Sequence, residues 1–260
     1  MCIRDRVELG QIQGVKTIMN IRRVNNVVEK MNKGEKAYGM NMIFPSTTIV
    51  ELSGRAGFDF VTFDSEHGPF TIDILDDLCR VADMAGLTPF ARVPNIEDST
   101  ILRFLDRGIM GITGPHIVDG VRAKQLANAA RYVPRGKRSF GSGRGAYFGG
   151  PPSGESYMSH MNDHLLVTAQ LEDLQVLDNL DDILSVDGID LYASGAQDIA
   201  QSMGIPGQPT HPDVLAFEKE VRNRVHAAGK KMADEVMPSA RAVSIFMEGS
   251  KTYLETQKGS

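Results

Sequence analysis

The chain has 260 residues, 42% of them hydrophobic, with 28 Lys and Arg against 33 Asp and Glu for a formal net charge of −5. That length suits one large α/β barrel or two small domains. The acidic balance argues against nucleic acid as a partner, uncharged runs of at most 14 residues leave no membrane span, and two cysteines support neither a disulfide framework nor a thiolate metal site. A soluble protein located in the cytoplasm is the expectation.

Residues 1–6, MCIRDR, share no periodicity with the rest of the chain and read as an artefactual leader. Residues 7–36 read as an N-terminal helical segment, because Ile18, Ile21, Val24, Val27, Val28 and Met31 recur at helical spacing before Gly34. A single barrel domain is expected over 37–255, with a polar tail over 256–260. Within it, an apolar run at 39–44 precedes a helix opened by Pro45-Ser46 that carries Ile49, Val50, Leu52 and Ala56. A strand at 60–63 ends in Asp64, and Ile72, Leu75, Leu78, Cys79 and Ala82 mark a helix stopped by Gly86. Next come a strand at 88–93, a helix around Ile101, Leu102 and Leu105 closed by Gly108, and a strand at 109–113. The remaining pattern is a helix at 121–130, a strand at 166–171, a helix at 174–184, a strand at 189–193 and a long helix at 214–228. A weak strand at 230–233 and a last helix at 240–254 complete it.

Short apolar strands alternating with helices are the βαβ signature. A doubly wound sheet would want G-x-G-x-x-G after its first strand, and no glycine occurs between Phe44 and Gly54. Polar residues instead close successive strands: Asp64 to His67, Arg92, Glu172 and Asp198. In a barrel those points converge on one rim, where active sites lie. The stretch from Pro134 to Asp163 breaks the rhythm. It is rich in glycine, and Arg131, Arg135, Lys137, Arg138 and Arg144 precede its first acid, Glu155. It reads either as a solvated loop or as a mobile element, over the site or at a subunit contact, that binds an anionic group.

Phe63-Asp64-Ser65-Glu66-His67-Gly68-Pro69 packs three ionisable groups into four residues after an apolar strand. A histidine there can move a proton near neutral pH, and a neighbouring carboxylate can fix its tautomer. Arg92 must meet an acceptor, either a substrate carboxylate or, in a buried salt bridge, Asp64 or Glu66. Glu172 and Asp198 close adjacent strands and could offer hard oxygen ligands to Mg²⁺ or Mn²⁺, or could be solvated acids. Asp106 alone reads as a helix-end acid, and His116 could line the same rim. His160, His164, His211 and His226 earn no role.

Six blocks together carry a resemblance: AGFDFVTFDSEHGPF (56–70), ARVPN (91–95), LDRGIMGITGPHI (105–117), ARYVPRGKRSFG (130–141), QLED (170–173) and GAQDIAQSMGIPGQPTHPDV (195–214). In that order they resemble the HpcH/HpaI aldolase family of class II pyruvate aldolases. The resemblance implies a modified (β/α)8 TIM barrel of the phosphoenolpyruvate/pyruvate type, with a swapped terminal helix, assembled as a homo-trimer or homo-hexamer. It implies reversible cleavage of a 4-hydroxy-2-oxo acid or 2-keto-3-deoxy sugar acid to pyruvate and an aldehyde. By the same resemblance His67 is the acid/base with Asp106 as its partner carboxylate. Arg92 holds the carboxylate and keto oxygen of pyruvate, and Gln170 and Gln197 line the substrate. Glu172 and Asp198 hold a divalent metal, Mg²⁺ or Mn²⁺, with Co²⁺ a further candidate.

The chain departs from the family where Gly195-Ala196-Gln197-Asp198 replaces Gly-Pro-Ala-Asp, and where Asp173 replaces a common Thr. Roughly 20 residues are missing between the long helix and the last one, so the barrel is expected to be short or divergent at strands seven and eight. A lyase acting on a CoA thioester, an oxaloacetate decarboxylase and a non-catalytic barrel acting in binding or assembly are the alternatives. The basic stretch Arg131 to Arg144 is what keeps the CoA reading open.

Overall fold

The computed structural model describes residues 23–149 and 154–258. The expected leader at 1–6, and Ile18 and Ile21 of the N-terminal helix, lie outside the described residues. The described part of that helix is α1 (Asn26–Asn32), shorter than its apolar spacing suggested. Its N-cap Asn25 accepts from the Val27 and Val28 N–H groups and donates to the carbonyls of Met110 and His164 at 2.9 and 2.8 Å. One side chain therefore both starts the helix and ties it across the bottom of the sheet.

From there strands and helices alternate: β1 (Gly39–Met42), α2 (Thr47–Arg55), β2 (Phe60–Asp64), α3 (Ile72–Met84), β3 (Thr88–Arg92), α4 (Asp98–Arg107), β4 (Gly111–Gly114) and α5 (Gly120–Ala130). A 3₁₀ segment (Arg144–Gly149) and α6 (Gly154–His164) lead to β5 (Leu166–Leu171), α7 (Val176–Leu184), β6 (Leu191–Ser194), α8 (Ala196–Ser202), α9 (Pro212–Ala227), α10 (Ala233–Val236), β7 (Ser239–Arg241) and α11 (Ala242–Lys258). The helices form for reasons visible in their residues. In α3, Leu75, Leu78, Cys79 and Ala82 make one buried face, Thr71 caps the first turn, and Gly86 at φ 75° turns the chain back to β3.

Among the described residues seven strands form one sheet, all parallel, in the order β6-β5-β4-β3-β2-β1-β7. The sheet curls, with the helices outside, so alternate residues point inward. The bottom is plugged by Val27, Ala37, Phe60, Phe90, Leu166, Leu191 and Val236. The Phe60 ring lies so close over Gly39, and the Phe90 ring over Gly111, that a Cβ would sit 2.1 and 1.9 Å from them. One layer higher the inward residues are polar: Asn41, Thr62, Thr113 and Thr168. The hydrophobic core proper lies between sheet and helices.

The wall between β6 and β7 differs from a regular barrel, as the missing residues foretold. The weak strand at 230–233 survives as one parallel bridge, Tyr192 to Met232, with the Tyr192 N–H donating to the Lys231 carbonyl at 3.1 Å. The short α10 then carries the chain to β7, which pairs with β1. Beyond it, α11 runs through the expected tail to Lys258 and buries only Ala242.

The basic stretch is also not what its sequence suggested. It comes after the C-terminus of α5 and precedes β5, which places it at the N-terminal rim of the strands, away from the strand-end residues. Each arginine has a local acid: Arg131 with Asp190, Arg135 with Asp163 at 2.6 Å, Arg138 with Asp106 at 3.0 Å and Arg144 with Asp83 at 2.5 Å. The counter-charges absent from the segment come from other elements, and within one chain it is no lid over the site.

Candidate active site

At the opposite rim a cavity of about 690 Å³ opens over the polar layer. Parallel pairing sets its first contact. Asp64 closes β2, Arg92 closes β3, and the register puts them side by side. Arg92 donates from Nε and Nη2 to the two Asp64 oxygens at 3.0 and 2.6 Å, and its Nη1 lies 3.0 Å from Glu66. The salt bridge foreseen as an alternative for Arg92 is thus present with both acids, leaving two of its five N–H donors for a ligand. Burial alone raises the Asp64 carboxyl. The hydrogen bonds and charge of Arg92, with the His67 N–H, outweigh burial and hold that group below the ordinary aspartate range.

The same turn presents His67. Its N–H donates to Asp64 Oδ1 at 3.3 Å, while its ring stands at the cavity mouth, 66% exposed, with Glu66 at 4.0 Å. Asp106 is not brought to this ring within one chain. It lies at the C-terminal end of α4, and a helix between two parallel strands ends beside the start of the next strand, at the far rim. There it receives Arg138 instead.

Glu172, just past β5, is 2% exposed. One of its oxygens accepts the His116 N–H at 3.1 Å and the other accepts from Gln170 Nε2. Burial is the main reason its carboxyl is raised, the hydrogen bonds from His116 and Gln170 opposing it and the charge of Asp198 adding to it. Asp198, in the first turn of α8, and Gln197 beside it line the same cavity. Gln170 also lines it, but the bond that its amide makes fixes Glu172 in place.

His116 carries more of this site than its sequence context suggested. Its φ of 51° is left-handed, a conformation unfavourable for a residue with a side chain. The turn aims its N–H at Glu172 and sets its ring between Glu66 and Glu172, at 3.5 and 3.4 Å. Gly114-Pro115 before it was the available signal. Asp234 and Arg241, from the shortened wall, also line the cavity, and nothing in the strand pattern pointed to them.

Around Arg92, the carboxylates of Asp64, Glu66 and Glu172 gather with Asp198 near Glu172, so the charge at this end of the cavity is mostly acidic. Among the described residues, no three His, Cys, Asp or Glu side chains converge as a metal cluster. A cation here would take Glu172 and Asp198 as protein ligands and complete its shell with ligand and water oxygens. The residues fit such an ion. The donors are hard oxygens, Glu172 is buried with its charge only partly compensated, and Gly195 leaves open a space whose Cβ would lie 2.4 Å from Glu172 Oε2.

A family model described as HpcH/HpaI aldolase/citrate lyase matches residues 39–256. A 2-keto-3-deoxy-L-rhamnonate aldolase of Shigella sonnei (strain Ss046) is 35% identical over 215 residues, 82% of this chain and 79% of that protein. Its counterpart in Escherichia coli (strain K12 / DH10B) is 34% identical with the same coverage. Among solved structures, an HpcH/HpaI aldolase from Desulfitobacterium hafniense DCB-2 superimposes with a TM-score of 0.80 at 24% identity, over 88% of this chain and 95% of that one. The citrate synthase SbnG gives 0.79 at 27% identity, over 89% and 97%.

Proposed function

The chain belongs to the HpcH/HpaI aldolase/citrate lyase family and is a lyase of the aldolase type, and on that premise we propose that it cleaves a 2-keto-3-deoxy or 4-hydroxy-2-oxo acid to pyruvate and an aldehyde with Mg²⁺ or Mn²⁺. The observation that carries this reading is the buried Glu172, whose Oε2 lies against Gly195 and whose carboxyl feels the charge of Asp198, next to a cavity lined by Asp198, Arg92 and His67. Glu172 and Asp198 hold the metal, which when bound supplies Lewis-acid polarisation of a 2-oxo group.

The chain's own groups do the rest. Arg92, held in orientation by Asp64 and Glu66, offers its remaining donors to the carboxylate and keto oxygen of the pyruvate portion, where charge grows during cleavage. His67 takes the 4-hydroxyl proton, directly or through water, and returns it in the condensing direction. Among the described residues, Glu66 is the carboxylate that comes within 4.0 Å of its ring. His116 and Gln170 orient Glu172 by donating to it and oppose the rise that burial imposes on its carboxyl. The internal pairing of Arg131, Arg135, Arg138 and Arg144 removes the feature that favoured a CoA thioester.

The assembly proposed is a homo-oligomer, a trimer or hexamer. It is supported by α11, which leaves Ile245, Phe246, Tyr253 and Leu254 exposed along one groove. No described helix is long and apolar enough to cross a membrane. Metal titration tests the division of labour. Glu172→Gln and Asp198→Asn should each weaken Mn²⁺ binding. His67→Ala should keep binding while slowing cleavage roughly 10²–10⁴-fold. A His67 variant that loses metal would make it a ligand and refute this assignment.

A further inference from the structure

The shortened wall puts a cation into the cavity that no carboxylate among the described residues claims. β7 runs parallel to β1 with Arg241 in register with Asn41, and both residues line the cavity. Arg241 makes no ion pair with an acid among the described residues. Asp234, the acid of the same wall, is taken by Arg222 at 2.8 and 3.2 Å. Arg92, the other cavity arginine, is engaged by Asp64 and Glu66. Beside Arg241, the Asn41 Oδ1 is buried and has no hydrogen-bond partner among the described residues. A free guanidinium and an orphaned acceptor on neighbouring strands therefore face a cavity whose other charges are mostly acidic.

We propose that Arg241, with Asn41 beside it, determines acceptor specificity by binding a carboxylate on the aldehyde-derived end of the substrate. The proposal rests on the aldolase reading above. Pyruvate's own carboxylate belongs to Arg92, so a second anion has Arg241 as its available partner. The guanidinium fork matches a carboxylate bidentately. A phosphate would bring about two charges into the same field of acids, whereas a carboxylate brings one. Asn41 Oδ1 needs a donor, which a hydroxyl next to that carboxylate supplies.

The test uses the Mn²⁺-loaded full chain condensing pyruvate with 2-hydroxy-3-oxopropanoate or with glyceraldehyde, which differ by a carboxylate in place of a hydroxymethyl group. The wild type should prefer the acid. Arg241→Gln should lower kcat/KM for the acid roughly ten- to hundredfold, the value of a charge-assisted hydrogen bond, against less than about threefold for glyceraldehyde. Arg241→Lys should restore part of the preference. Equal falls for both acceptors, or an unchanged ratio, would overturn the role of Arg241. If the wild type fails to exchange pyruvate methyl protons with solvent, the aldolase reading itself fails. That result separates the two claims.

Discussion

Replacing Gly195 by alanine tests the metal site with one methyl group. The backbone at Gly195, φ −127° and ψ 89°, is open to alanine, so any effect comes from the side chain. Its Cβ would lie 2.4 Å from Glu172 Oε2 and 3.2 Å from Gln170 Nε2, where ordinary contact begins near 3.4 Å, so the carboxylate must retreat by about 1 Å. Glu172 is buried and both its oxygens are hydrogen-bonded, so the retreat breaks or stretches a bond to a charged acceptor. Such a bond contributes about 1.5–3 kcal/mol, which corresponds to roughly ten- to hundredfold in affinity. Calorimetric titration with Mn²⁺ should show that loss, and thermal melts without metal should show the variant folded. Wild-type affinity and turnover in Gly195→Ala would refute Glu172 as a ligand of the ion.

Charges inside the fold give the other predictions. Arg131 is 2% exposed and donates to the carbonyls of Asn162, Leu165 and Gly188 as well as to Asp190. Arg131→Met should cost about 3–5 kcal/mol by stranding those acceptors, read by urea denaturation; a loss under 1 kcal/mol would contradict it. Asp64 is held below its ordinary 3.8, so its contribution is complete above that value and is lost as the pH falls through its folded value. In Arg92→Gln the largest opposition to burial is gone and only His67 still lowers Asp64, so its carboxyl rises and the stability gap between wild type and variant should narrow from pH 7 to pH 3. A gap that widens on acidification would contradict that sign.

Strand ends and helix faces were legible because their physics is local. Apolar alternation gave way to Asp64, Arg92, Glu172 and Asp198 at the points where a parallel barrel gathers them; Asp64, Arg92 and Asp198 line one cavity, and Glu172 lies buried beside it against Gln170. What escaped the sequence was relational. Asp106 sits in a motif beside the strand pattern, but the direction of α4 carries it to the other rim, where Arg138 meets it. The basic stretch looked uncompensated because its acids, Asp83, Asp106, Asp163 and Asp190, come from other elements or from beyond its glycine-rich part. His116 depends on a left-handed turn that periodicity does not record. β7 is three residues long and exposed, too short to show alternation, so Arg241 could be placed only once the register with β1 was known.

The central claim, that this rim makes pyruvate enolisation metal-dependent through Glu172, Asp198 and Arg92, is tested most directly by proton exchange. Pyruvate methyl groups monitored by NMR in D₂O need no knowledge of the aldehyde. With Mg²⁺ the protein should exchange them well above solvent background, chelation should abolish the exchange, and Glu172→Gln or Asp198→Asn should reduce it at limiting metal. Exchange no faster than background with Mg²⁺, Mn²⁺ and Co²⁺ alike would contradict the account.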